Sequence, residues 1–252
     1  MNSLQVGVDL LIDLGNSRVK WAIKRAQEWV VGTAVSRMEG LTDWAVSLAD
    51  QARPQRILIS NSAGPAAEAT IITWCESQLG VAPKIIRSER SGFGVHNAYQ
   101  NPSALGADRW LAMIAARHGS SAPAAVVDCG TVVTVDALDA VGCFLGGVII
   151  PGNQTMSRSL LAQVTHLHAD TTVGSSVFNL STGSAVANGA LMAVIGGIDR
   201  TVEAFIMRMG KDTRVVLTGG NAARIAPLLR CRFSEQPNLV LDGLRIVAED
   251  VT

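Results

Sequence analysis

Ile12-Asp13-Leu14-Gly15-Asn16-Ser17 and Val127-Asp128-Cys129-Gly130-Thr131-Val132 are the two stretches on which the reading of this chain turns. Each closes a hydrophobic run with an Asp, reaches a Gly after one intervening residue, and runs into a second predicted strand. The Asp supplies charge where the chain leaves a sheet. The Gly permits a tight reversal and lets backbone N–H groups approach a ligand. One such bend is ordinary turn chemistry. A pair, one at the front of each half, predicts a cleft with two facing phosphate-handling walls.

Working outward from the first bend, Val6 to Leu14 is nearly continuous apolar sequence, the pattern of a strand buried on both faces. Val19, Trp21 and Ile23 then alternate with Arg18, Lys20 and Lys24, the period of a half-exposed strand. Trp29 to Val35 predicts a third strand. Helices are expected over Leu41 to Ala52, Ala66 to Leu79 and Ala104 to His118, with strands at Arg56 to Ser60 and Lys84 to Arg87. Gly92-Phe93-Gly94 reads as a turn or a lid.

The turn-prone stretch from His118 to Pro123 marks the internal boundary, giving expected lobes of 1–121 and 122–252. Beyond it the opening pattern returns. Strands are expected at Ala124 to Asp128, Val132 to Leu138 and Cys143 to Ile150, then helices at Gln154 to Val164 and Ala185 to Met209. Val215 to Leu217 reads as a strand closed by Thr218-Gly219-Gly220-Asn221, a candidate adenosine-side loop. Three strands followed by alternating helices and strands, twice over, imply two similar α/β lobes with mixed sheets.

Composition narrows the partners. Hydrophobic residues make up 48% of the chain and charged residues 17%, enough for a substantial core. Lys and Arg number 21, as do Asp and Glu, so the net charge is zero. With no long basic run, nucleic acid and membrane surfaces are not the expected partners. No apolar stretch is long enough to span a bilayer, and the first cation is Arg18, unlike a secretory signal. Cys75, Cys129, Cys143 and Cys231 are scattered without a CxxC pair, as in a cytoplasmic protein with reduced thiols.

Phosphoryl transfer needs negative charge neutralised and reacting oxygens held in line. No GxxxxGK[ST] segment is present, so a P-loop is not the device. Asp13, Gly15, Asn16 and Ser17 instead offer a bend able to surround terminal phosphates, with Asp13 holding hydrated Mg²⁺. Lys20 is either a phosphate ligand or a solvated strand residue. Asp128, Gly130 and Thr131 form the second bend, with Thr134 and Asp136 further along. Asp108 and Arg109 open a helix, where adjacent residues do not face one another. In a cleft, Asp108 can take a proton from an attacking alcohol while Arg109 grips an anionic group. His166 and His168 form an HxH pair without a convincing third metal ligand.

Together these residues resemble the type III pantothenate kinases of the acetate and sugar kinase/heat-shock chaperone/actin superfamily. The match runs through DLGNSRVK at 13–20, Tyr99, GADR at 106–109, DCGTVVTVD at 128–136, GGVIIPG at 146–152 and Thr182. The resemblance implies two ribonuclease H-like lobes with the active site in the interlobe cleft. It also implies ATP-dependent phosphorylation of pantothenate to 4'-phosphopantothenate, the first step towards coenzyme A. Asp13, Leu14, Gly15, Asn16, Ser17, Arg18, Val19, Lys20 and Thr131 would contact ATP. Tyr99, Gly106, Ala107, Asp108, Arg109 and Thr182 would contact pantothenate, with Asp108 as proton acceptor. Asp128 would bind potassium or ammonium, and a second copy of the chain would complete a homodimer. Ser17 replaces the commoner Thr, and Val132 replaces the usual Ala and is expected to point into the sheet. A related sugar or small-acid kinase and a non-catalytic regulatory accessory factor are the alternatives.

Overall fold

Residues 7–25, 28–32, 35–36, 53–164, 174 and 176–250 are described by a computed structural model of the chain. The expected helix over Leu41 to Ala52 and the pair His166 and His168 lie outside the described residues. The chain divides into two compact units, Met1–His118 with Leu239–Thr252, and Gly119–Asn238. The second unit opens at Gly119, in the turn-rich stretch from His118 to Pro123. The last helix, expected with the second lobe, belongs to the first.

The first unit is built on strands β1 (Val8–Leu14), β2 (Arg18–Arg25), β3 (Glu28–Val31), β4 (Val35–Ser36), β5 (Arg56–Asn61) and β6 (Lys84–Ile85). Their order is β3-β2-β1-β5-β6, with β4 beside β2. β2 runs antiparallel to β1, whereas β5 and β6 run parallel to it and to each other. The expected single third strand is two short ones. Leu10, Leu11, Ile12 and Leu14 are all 0% exposed, because both faces of β1 are covered. Helix α1 (Pro65–Trp74) continues as a π-helical turn over Cys75–Leu79 and ends at Gly80, in the left-handed region at φ 67°. Its Ile71 and Cys75 meet Leu10, Ile12 and Ile59 in one core cluster.

Helix α2 (Ala107–Gly119) starts later than its apolar run suggests. Asn101 accepts a hydrogen bond from the Ser103 N–H at 3.2 Å and caps a 3-10 turn, Pro102–Ala104, which precedes it. Strands β7 (Ser91–Gly92) and β8 (Val95–Asn97) form a hairpin closed by Phe93 and Gly94. Their φ values of 53° and 77° are those of a tight two-residue turn rather than a lid.

The second unit repeats the arrangement with β9 (Ala124–Cys129), β10 (Val132–Leu138), β11 (Cys143–Pro151), β12 (Arg214–Thr218) and β13 (Ser234–Glu235). Reading from β11, the order β11-β10-β9-β12-β13 reproduces β3-β2-β1-β5-β6, with the same antiparallel and parallel pairings. Helices α3 (Asn153–Gln163) and α4 (Thr182–Met209) pack on one another. Leu191, Val194, Ile198 and Val202 of α4 bury against Val127, Val133, Val135 and Leu217 of the sheet. The short α5 (Ala222–Ile225) follows β12. Val132 is 39% exposed rather than turned into the sheet, because it opens β10 at the bend.

Helix α6 (Leu239–Asp250) closes the first unit, packing on β1, β2 and β5, with Leu241, Leu244 and Val247 buried. Arg56 fastens its end. Its guanidinium donates two hydrogen bonds at 2.8 Å to buried Asp9 and a third, at 3.1 Å, to the Ala248 carbonyl.

Candidate active site

The first bend is held by the Gly15 N–H donating to the Arg18 carbonyl at 3.0 Å. A Cβ on Gly15 would stand 3.0 Å from that same oxygen, so the close approach requires the small residue. The second is held by the Gly130 N–H donating to the Val132 carbonyl at 3.1 Å. The first loop has three residues between strands and the second has two. The antiparallel partner of Asp13 is therefore Lys20, and that of Asp128 is Thr134. Directly paired residues project from the same face. Lys20 thus stands beside Asp13, half-buried at the bend.

The parallel neighbours add a feature that the bends alone do not reveal. Ser60 is in register with Asp13, and Thr218 with Asp128. Both hydroxyl residues are buried, at 0% and 1% exposure. The loop after each parallel strand also donates to the residue following the Asp. Ser62 N–H reaches the Leu14 carbonyl at 3.0 Å, and Asn221 N–H the Cys129 carbonyl at 2.8 Å. Asn16 ties the first loop by donating to the Ser62 carbonyl at 3.1 Å, and Asn221 ties the second by donating to the Gly130 carbonyl at 3.0 Å. Duplication therefore extends from the bends to their braces. The signal was available: Ile59-Ser60-Asn61-Ser62 and Leu217-Thr218-Gly219-Gly220 both end a hydrophobic strand with a hydroxyl residue.

The second bend is tightly enclosed. Gly219, at φ 101°, lies where a Cβ would come within 2.4 Å of Asp128 Oδ1. A Cβ on Gly152 would be 2.5 Å from the Thr131 carbonyl, which accepts from the Gly152 N–H and the Thr155 hydroxyl, each at 3.0 Å. The Thr218-Gly219-Gly220-Asn221 loop thus serves as the wall of the Asp128 bend. Burial, then the Asp128 charge, pushes the Cys129 thiol up to about 12, so it is not a nucleophile at neutral pH.

A third group of predicted residues comes together at the start of α2. Asp108 Oδ1 accepts from the Arg109 N–H at 2.8 Å, and a Cβ on Gly106 would be 2.6 Å from that oxygen. Gly106 is thus required for the carboxylate to fold back over the helix start. Arg109 is 7% exposed, and its Nη1 donates to the Tyr99 hydroxyl at 2.9 Å. Its guanidinium carbon also lies 5.8 Å from the Tyr99 ring centroid. Ala107 is buried as well. Thr182 lies in the other unit, exposed at the first position of α4, beside the Ser181 cap.

Oxygen donors dominate both bends. Among the described residues, no group of three or more His, Cys, Asp and Glu is placed to hold a metal ion. A carboxylate with hydroxyl and carbonyl oxygens suits a hard cation that keeps much of its water. The Ser60 hydroxyl, buried beside Asp13 without a hydrogen-bond partner, fits such a hydrated ion.

The repeated strand order and paired bends define the actin-type fold class. MreB 5 of Spiroplasma citri bound to AMPPNP is similar over 97% of each chain, with TM-score 0.51 and 10% identity. A Baf family protein from Campylobacter jejuni covers 96% of this chain and 98% of its own, with TM-score 0.58 and 19% identity.

Sequence takes the assignment further: the chain belongs to the type III pantothenate kinase family, whose sequence model matches residues 9–204. Relatives named type III pantothenate kinase include one from Nitrosococcus oceani, 36% identical over 96% of this chain and 94% of its own. Another, from Aromatoleum aromaticum, is 37% identical over 96% of this chain and 98% of its own.

Proposed function

We propose that this enzyme transfers the γ-phosphoryl group of ATP to the primary hydroxyl of pantothenate, with Asp108 accepting the hydroxyl proton. The carrying observation, in a chain of this family, is the buried Arg109 guanidinium held by Tyr99 beside the Asp108 carboxylate. A cation buried in the first turn of a helix opposes the helix dipole and loses hydration. A guanidinium in that place can meet a bound carboxylate with charge-assisted hydrogen bonds, and pantothenate carries one. Arg109, Tyr99 and Gly106 hold the acceptor. Asp108, pinned through Oδ1, receives the proton on its other oxygen as the new O–P bond forms and ADP leaves. General-base assistance of this kind contributes roughly 10²–10⁴ in rate.

Residues 13–20 and Thr131 serve the nucleotide. Backbone N–H groups of the first bend and Lys20 neutralise phosphate charge. Asp13, with Ser60 behind it, is the residue to hold Mg²⁺ through water, and Asp128 is the residue to hold potassium or ammonium. These cations supply charge neutralisation. Pairing of two copies is supported by the exposed apolar side chains Leu145, Ile149 and Leu160 on β11 and α3. The four free cysteines accord with a cytoplasmic setting, and no described helix is long and apolar enough to cross a membrane.

A coupled assay tests the reading. With Mg²⁺ and potassium, ADP release is expected to require pantothenate and to fall when sodium is the only monovalent cation. Release with a sugar or another acid in its place identifies a related kinase. Full rate in sodium alone removes the cation role from Asp128.

A further inference from the structure

We propose that Arg90 is a positioning residue for pantothenate recognition, holding the Tyr99 loop so that the phenol meets Arg109; the inference rests on the function proposed above. Residues 98–101 belong to no strand or helix, so ladder hydrogen bonds do not fix Tyr99. Arg90 does so instead. Nη1 donates to the carbonyls of Asn97 at 3.1 Å and Tyr99 at 2.8 Å, and Nη2 to that of Gln100 at 3.0 Å. The Asn97 N–H returns a bond to the Arg90 carbonyl at 2.9 Å.

Buried Asn97 continues the brace. Its Oδ1 accepts from the Tyr99 N–H at 3.0 Å, and its Nδ2 donates to the Pro102 carbonyl at 3.1 Å. The Ser88 hydroxyl lies 2.7 Å from the carbonyls of Pro102 and Leu105. One polar scaffold therefore spans the segment from Tyr99 to the start of α2, where Asp108 and Arg109 stand.

A guanidinium presents several donors in one plane, a geometry that the point charge of lysine does not reproduce. Arg90 is itself exposed, so its removal opens no core cavity. The bonds to the Tyr99 and Gln100 carbonyls are exposed, so water replaces the guanidinium there, and what is lost is the order of the Tyr99 loop rather than the fold.

Tyr99 is the only tyrosine in the chain, so ring-¹³C-tyrosine labelling gives a single residue's signals. Arg90→Ala and Arg90→Lys are expected to shift or broaden them. In steady-state kinetics both should raise KM for pantothenate about tenfold, the size of a lost charge-assisted hydrogen bond, with KM for ATP unchanged. In a Tyr99→Ala background, Arg90→Ala should add little. Unchanged tyrosine signals overturn the proposal, as does a rise in KM that persists undiminished without Tyr99. If the wild type fails to turn over pantothenate, the functional reading fails, while the tyrosine signals still decide whether Arg90 positions Tyr99.

Discussion

Arg109 and Asp108 are neighbours in sequence with opposite relations to their helix. Asp108 lies in the first turn of α2, where the dipole favours an anion. Arg109 lies there against the dipole and is buried as well. Such an arrangement sets a fixed donor for an anion beside a carboxylate that can act as a base. Replacing Asp108 by Asn keeps the oxygen that accepts from the Arg109 N–H, so Tm is expected to stay near the wild-type value. Turnover should fall by ~10²–10⁴. A kcat equal to wild type would remove Asp108 from the proton-accepting role. The pair itself was legible in the sequence, because GADR precedes an apolar helical run. The contact between Tyr99 and Arg109 was not, because it depends on the path of an irregular loop set by Arg90 and Asn97.

Among the elements, the two strand–bend–strand hairpins show how far local pattern reaches. Their hydrophobic periods and Asp-x-Gly bends were readable one strand at a time. The one-residue difference in loop length matters only once strands pair, since it puts Lys20 opposite Asp13 but Thr134 opposite Asp128. Helix α6 makes the same point through Gly243. A glycine inside a helix costs about 1 kcal/mol relative to alanine. A Cβ there would stand 2.2 Å from the Leu111 carbonyl of α2, too close for the two backbones to keep their places. Gly243→Ala is therefore expected to destabilise the protein, because overpacking of about 1–3 kcal/mol outweighs the propensity gain. Urea denaturation measures this, and a raised midpoint would show that α6 can slide away from α2.

At the scale of the whole molecule, the first unit is assembled from both ends of the chain, with residues 119–238 forming the other compact unit. Leu239, Leu241, Leu244 and Val247 are each 3% exposed or less. Burying such side chains contributes about 1.5–3 kcal/mol each, a sum comparable with the usual ~5–15 kcal/mol stability of a folded protein. A chain ending at Asn238 is expected to lose the cooperative unfolding of its first unit, seen as rapid proteolysis within residues 53–118. Wild-type protease resistance and Tm in that truncated chain would contradict the assignment of α6.

The sequence by itself determined the alternation of strands and helices, the doubled acidic bend and the Asp108-Arg109 pair. Each is written in residues a few positions apart, where hydrophobic period and turn chemistry act. Only the tertiary structure decided that the last helix returns to the first sheet, that Ser60 and Thr218 flank the two carboxylates, and that Tyr99 is held against Arg109. Those outcomes depend on register and backbone approach between segments distant in sequence, which no local pattern encodes.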